Sequence, residues 1–256
     1  MSDDVEPMVQ RGTAADRAER LTNTVRDLSS PLLRPRDSAT LILIDRAGAV
    51  PKVLLGRRHE RHRFMPGKFV FPGGRVETKD RLMPTAAPLN EHDTARLMRR
   101  LRRPSAAKAA AFALAAIRET YEETGLMLGV PSDKPVAEPS PAWAPFAKAG
   151  IIPDLRVMHF IGRAITPPGR PRRFDSRFFA ADFSAVARKD DGFVGAEQEL
   201  VEVVWMPIGE ARTLDIPGIT AIVLEELQER IAAGMRHDQP APLYRMLHKK
   251  FRREML

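Results

Sequence analysis

The amino-acid sequence predicts an α/β fold, and three observations carry that reading. Two β-type runs, SATLILID (38–45) and KVLLGRR (52–58), flank RAGAVP, a short loop with Gly and Pro that predicts a hairpin. An Ala-rich stretch, AAKAAAFALAAIRETYEET (106–124), follows a capping Ser105 and stops at Gly125, the residue type that most easily takes the left-handed conformation ending a helix. Beyond it, the extended runs RVMHFIGRAI (156–165), FDSRFFAAD (174–182) and LVEVVWM (200–206) alternate with loops before a helix-periodic tail.

Taken in order, residues 1–36 lack strong periodicity and end in SSPLLRPRD, so they are predicted to form a loosely docked N-terminal arm before a domain spanning 37–256. GKFVFPGGRVE (67–77) is a third extended run. The segment 78–104 is rich in Asp, Arg and Pro, with a short helix in NEHDTARLMRRL, and separates two stretches that belong together; an insertion over about 81–104 is expected. PSDKPVAEPSPAWAP (131–145) reads as a Pro-rich linker and ARKDDGFVGAEQE (187–199) as a loop. The tail is predicted as two C-terminal helices over about 217–256, GITAIVLEELQERIAAG and APLYRMLHKKFRREML.

Composition narrows the chemistry. Zero Cys among 256 residues removes disulfides, thiolate ligands and thiol nucleophiles, leaving carboxylates and His for metal or acid/base work. No run of apolar residues is long enough to span a bilayer, and the polar N-terminus does not resemble a secretory signal, so the expected location is cytoplasmic, with no membrane partner. The net charge of +8 favours anionic partners, and much of it sits in GRRHERHR (56–63), RRLRRP (99–104), RPRR (170–173) and HKKFRR (248–253).

The end of the Ala-rich helix carries the most informative residues. Glu119, Glu122 and Glu123 lie within a turn and a half, and three and four residues apart is one helix face, so they can converge while Arg118 reaches Glu122. Such carboxylates repel one another unless a cation sits between them, and hard oxygen donors suit Mg²⁺ or Mn²⁺. The plain alternative is a solvated acidic face.

Arg118, Glu119, Glu122, Glu123, Gly125 and Leu126 resemble the second half of the Nudix box, and FVFPGGRVETKD resembles its first half, with Gly74 as the opening Gly. Two positions depart from the pattern: Thr120 replaces an apolar residue, and Asp80 stands where the first Glu belongs. Asp80 to Arg118 is 38 residues rather than eight, so the box resembles one split by an insertion. FMPGKFVFPGG (64–74) and RRFDSRFF (172–179) are similar to stretches of coenzyme A diphosphatase-like Nudix proteins with that split, although LLGRRHERHRFMPG only partly matches their signature before the Gly-Gly.

The resemblance implies a Nudix α/β/α sandwich, a mixed sheet between helices, with a helical insertion in the box. It implies metal-dependent hydrolysis of the diphosphate in a nucleoside diphosphate joined to another moiety, best coenzyme A or acyl-coenzyme A. ADP-ribose, a nucleotide sugar or a dinucleotide polyphosphate is the alternative. It further implies the Gly74 carbonyl with Glu119, Glu122 and Glu123 as Mg²⁺ or Mn²⁺ ligands, Arg118 orienting a Glu, and Glu197 or Glu199 as a loop base or ligand. Arg57, Arg58, Phe71, Arg75 and Arg173 are the substrate-binding candidates, and the partner is a phosphorylated small molecule. An RNA-binding Nudix module, or any nucleic-acid role, is disfavoured because all three glutamates are kept; a homodimer fits the family. MPGKF lacks P-loop spacing. His59, His62 and His92 read as solvated, Trp205 as core, and Trp143, Phe64, Phe174 and Phe178 as ambiguous stacking surfaces.

Overall fold

A computed structural model describes residues 13–26, 29–61 and 65–256; His62, Phe64 and the first part of the N-terminal arm lie outside them. The strand at the centre is β1 (Arg36–Asp45), whose LILI run is apolar on both faces because both are covered. Ala39, Leu41 and Leu43 face one core and Ile42 and Ile44 the other. Around it in chain order come β2 (Lys52–Arg58), the two-residue β3 (Phe69–Val70) and β4 (Gly73–Arg75). Next are β5 (Leu126–Leu128), β6 (Val130–Pro131), β7 (Ile151–Ile152), β8 (His159–Ile165), β9 (Phe174–Asp182), β10 (Val186–Lys189) and β11 (Leu200–Pro207). A final hairpin comprises β12 (Pro242–Leu247) and β13 (Lys250–Met255).

The main sheet runs β11-β2-β1-β9-β8-β12-β13, with β3 on β2 and β4 on β1. It is mixed: β1 is parallel to β9, β9 antiparallel to β8, and β8 parallel to β12. The first core lies under α2 (Glu91–Met98), α3 (Ala106–Thr124) and α4 (Ala144–Ala149); the second lies under α1 (Ala14–Asn23) and α5 (Gly218–Ala232). Two helical layers thus enclose a mixed sheet, the α/β/α sandwich that the box pattern implied. Among the described residues no helix is long and apolar enough to cross a membrane.

Helix α3 has the predicted limits. Ser105 accepts from Lys108 N at 3.1 Å, and Gly125 takes φ 73°. A side chain at Gly125 would strike the Asp190 carbonyl, so Gly serves both the turn and the packing. Its alanines bring the helix close to the sheet: Ala109, Ala113 and Ala116 have no exposed surface.

Three expectations are corrected. The arm is not loose over α1: a Thr13/Asp16 capping box starts the helix, and buried Arg17 donates to Glu225 (3.1 Å), Glu226 (2.9 Å) and Glu229 of α5. The second C-terminal helix is instead the β12–β13 hairpin. Its residues are good helix formers, but Leu243 and Tyr244 pair with β8, and burial on the sheet overrides propensity. The turn holds His248 and Lys249 at φ 48° and 63°, where no Asn-Gly signalled it. The 131–145 stretch is no free linker, since Trp143 is fully buried against Phe146 and α3; no ligand can stack on it.

Buried Asp93 on α2 accepts from Phe160 N at 3.3 Å and lies 2.7 Å from His237 Nδ1. The His237 ring stacks on His159 with centroids 4.0 Å apart. Burial, and then the neighbouring His237, Arg230 and Arg46, push the His159 pKa down to about 4.

Without Arg17, Glu225 keeps Arg20 and Arg212 and Glu226 keeps Arg253 and Tyr244, so Arg17→Ala is expected to cost about 1–3 kcal/mol in urea unfolding. His159 is neutral in the fold, so the stability it contributes is full above its ordinary value of 6.5 and is lost as pH falls from there through about 4. The stability difference between the wild type and His159→Phe is therefore expected to shrink over that window, read by unfolding at stepped pH.

Candidate metal and phosphate site

The site is organised by Arg118, which is 1% exposed. Its Nε and Nη2 donate to the Asp80 carboxylate at 2.8 and 3.2 Å, and Nη2 also donates to the Arg75 carbonyl at 2.7 Å. Its Nη1 donates to Glu119 at 2.9 Å and Glu122 at 3.1 Å. All five guanidinium donors are therefore spent, one on each of five acceptor positions. Burial opposes the charge, but hydrogen bonds donated to Asp80 and the fields of Glu119 and Asp80 outweigh it and raise the Arg118 pKa. Asp80, itself 1% exposed, sits on a 3-10 turn (Asp80–Leu82) packed against α3. Thus residues 38 apart in sequence meet, with α2 in the chain between them.

Glu119 lies against Gly74, where any Cβ would fall on its carboxylate. Burial pushes its pKa up to about 7; Arg118 opposes the rise, while Glu122 and Glu199 add to it. Glu123 is 4% exposed and accepts from Gly73 N at 3.1 Å. Burial, then Glu199 and Glu119, push its pKa well up against the pull of that N–H and of Arg58. Glu122 is half-exposed and turned toward Arg118, with Glu77 and Asp80 nearby.

The loop before β11 is fastened to the end of α3. Tyr121 donates its hydroxyl to Asp190 at 2.9 Å, Phe193 packs on the Tyr121 ring, and Asp190 N donates to the Gly125 carbonyl at 3.0 Å. Glu199, whose carbonyl accepts from His59 N at 3.1 Å and whose carboxylate lies 2.9 Å from Arg58, is near enough to act electrostatically on Glu119 and Glu123.

The predicted residues therefore divide. Gly74, Arg118, Glu119, Glu123, Glu199 and Arg58 are brought together, with Glu122 at the margin. Glu197 is exposed and pairs with Arg61, away from the group. Arg57 alternates to the opposite side from Arg58 and pairs with Glu202. Phe71 is buried in the second core and has no face for a substrate. Arg173 spends its guanidinium on the carbonyls of Thr166 and Leu33. Arg75 contributes its carbonyl to Arg118 and leaves its side chain exposed. Sequence reasoning missed the Asp80 clamp and the Tyr121–Asp190 fastening; the acid six residues after Gly74 was the available signal for the first.

Among the described residues no three Asp, Glu or His side chains are gathered into a ready cage. Arg118 draws Glu119 and Glu122 toward itself, leaving Glu123 with Gly73. The donor set still fits a hard divalent cation, because Glu119, Glu123 and Glu199 are oxygen donors whose mutual repulsion in a desolvated place such an ion relieves.

No family model matches the chain. A Nudix hydrolase of Alicyclobacillus acidocaldarius, known as a crystal structure, is 31% identical and superposes with a TM-score of 0.56, covering 75% of this chain and 90% of that one. The acyl-coenzyme A diphosphatase NUDT19 of Gallus gallus is 29% identical over 50% of this chain and 47% of its own length, so the chain spans about half of that relative. Fold, site and similarity together place the chain in the Nudix hydrolase family.

Gly74→Ala is expected to force Glu119 off the strand and cost about 1–3 kcal/mol, as overpacking does, read by urea unfolding.

Proposed function

We propose that the chain is a Mg²⁺- or Mn²⁺-dependent pyrophosphohydrolase acting on a nucleoside diphosphate joined to another moiety, with coenzyme A or acyl-coenzyme A as the substrate. The observation that carries this is the pair of desolvated carboxylates, Glu119 and Glu123, around the Gly73–Gly74 backbone at the end of α3, with half-exposed Glu199 beside them. The similarity to acyl-coenzyme A diphosphatase NUDT19 and the flanking stretches that resemble the split-box subgroup support the substrate.

In this reading Glu119, Glu122, Glu123 and the Gly74 carbonyl would hold the cation, which would supply neutralisation of diphosphate charge and activation of water. Arg118 positions Glu119 and Glu122 through its own bonds and touches no substrate. Glu199 lies closest in role to a general base: it is half-exposed, held by Arg58, and faces the buried pair. Arg58 also supplies positive charge on the side where phosphoryl oxygens gather charge in the transition state.

The test is phosphate release from coenzyme A, acetyl-coenzyme A, ADP-ribose, NADH, dinucleotide polyphosphates and capped RNA with Mg²⁺ or Mn²⁺. Coenzyme A or its acyl ester is expected to be cleaved fastest, and Glu123→Gln to lose about 10³-fold or more while remaining folded. Equal rates in the variant, or faster cleavage of ADP-ribose, would contradict the reading.

A further inference from the structure

A cavity of about 510 Å³ lies at the start of β1 and β9, with Arg34, Arg36, Arg75, Arg172 and Arg173 in its wall. No acidic residue lines it. Arg173 is used up in binding the carbonyls of Thr166 and Leu33. The other four guanidinium groups are exposed, and among the described residues none is paired with a carboxylate. Some exposed arginines elsewhere carry one, as Arg61 does with Glu197, Arg188 with Asp190 and Arg236 with Asp238, but only here do four without one line a single cavity among those described. Like charges gathered without a counter-charge are unfavourable alone and favourable around an anion.

The frame of the cavity is set before any ligand arrives. Arg36 N donates to the Arg173 carbonyl at 2.9 Å, and Ser30 N donates to the Gly169 carbonyl at 2.9 Å, tying the 30–36 segment to the β8–β9 loop. Arg173 makes the same connection through its side chain, and Pro35 and Pro171 fix their own φ angles. On the third side, Arg75 is held through its carbonyl by Arg118.

We propose that Arg34, Arg36, Arg75 and Arg172 form a binding site for a phosphomonoester dianion. The guanidinium fork matches two phosphate oxygens at once, and several forks around one cavity suit a dianion better than a carboxylate or chloride. The site is distinct from the box carboxylates. Arg75 pairs opposite Ser38 and Gly74 opposite Ala39, and neighbouring strand residues point to opposite faces, so Arg75 turns away from Glu119 across the thickness of β4. The phosphate has two sources. It is free in solution, or it is a second phosphate on a nucleotide that reaches round β4; neither source depends on the chain being a hydrolase.

Calorimetry on the full chain separates them, with inorganic phosphate, adenosine 3′,5′-bisphosphate and adenosine 5′-monophosphate as probes at constant ionic strength. The variant is Arg34→Gln/Arg172→Gln, with Arg75→Gln as a second; both are surface changes whose thermal midpoints are checked against the wild type. If the phosphate comes from solution, inorganic phosphate binds the wild type and weakens about tenfold or more in the variants. If it is part of the nucleotide, the bisphosphate binds about tenfold or more tighter than the monophosphate, and the variants lose that gain. Binding of all three probes equally by folded variant and wild type, or of none by the wild type, overturns the site.

Discussion

The buried Arg118 guanidinium is the constraint on which the site depends. A cation under α3 with 1% exposure is tolerable only if every donor is met, and the five acceptors come from three separate places in the chain. Asp80 comes from the turn after β4, the Arg75 carbonyl from β4 itself, and Glu119 and Glu122 from α3. Satisfying Arg118 therefore fixes β4 against α3, and with it the short distance from Gly74 to Glu119. The two ends of the long segment between Asp80 and Arg118 are joined through this side chain.

The same cation sets the charge state of its surroundings. It moderates Glu119, whose pKa still rises to about 7 through burial, and it leaves Glu123 to the Gly73 N–H and to the more distant Arg58. The group thus holds excess negative potential in a place with little water. That combination raises the affinity of Glu119 and Glu123 for positive charge, and it arises from backbone packing at Gly73–Gly74 as much as from the acids. A second buried arginine works alike on the other side of the sheet, where Arg17 fastens α1 to α5.

Much of this was legible in the sequence for definite reasons. Ser105 and Gly125 marked the limits of α3 because caps are local chemistry, and the strands showed because their faces alternate or are wholly apolar. The glutamates showed because helix spacing fixes which residues share a face. What could not be read depended on distant partners. The β12–β13 segment is composed of helix formers and becomes strand only because β8 offers an edge. Phe71 looked like a binding residue beside the Gly-Gly but turns into the core. Arg57 and Arg58 are adjacent and both basic, and only the pairing with β11 decides that Arg58 faces Glu199. Helix α1 was missed because its docking depends on Glu225, Glu226 and Glu229 lying opposite Arg17.

The central claim is that the Asp80–Arg118 clamp joins the two separated parts of the site. A double-mutant cycle in urea unfolding with Asp80→Ala, Arg118→Met and the pair tests it directly. A coupling energy of about 2–3 kcal/mol or more is expected, since each single change strands a buried charge that the double change removes. Additivity within about 0.5 kcal/mol would show that the two residues do not depend on each other, and would contradict the account.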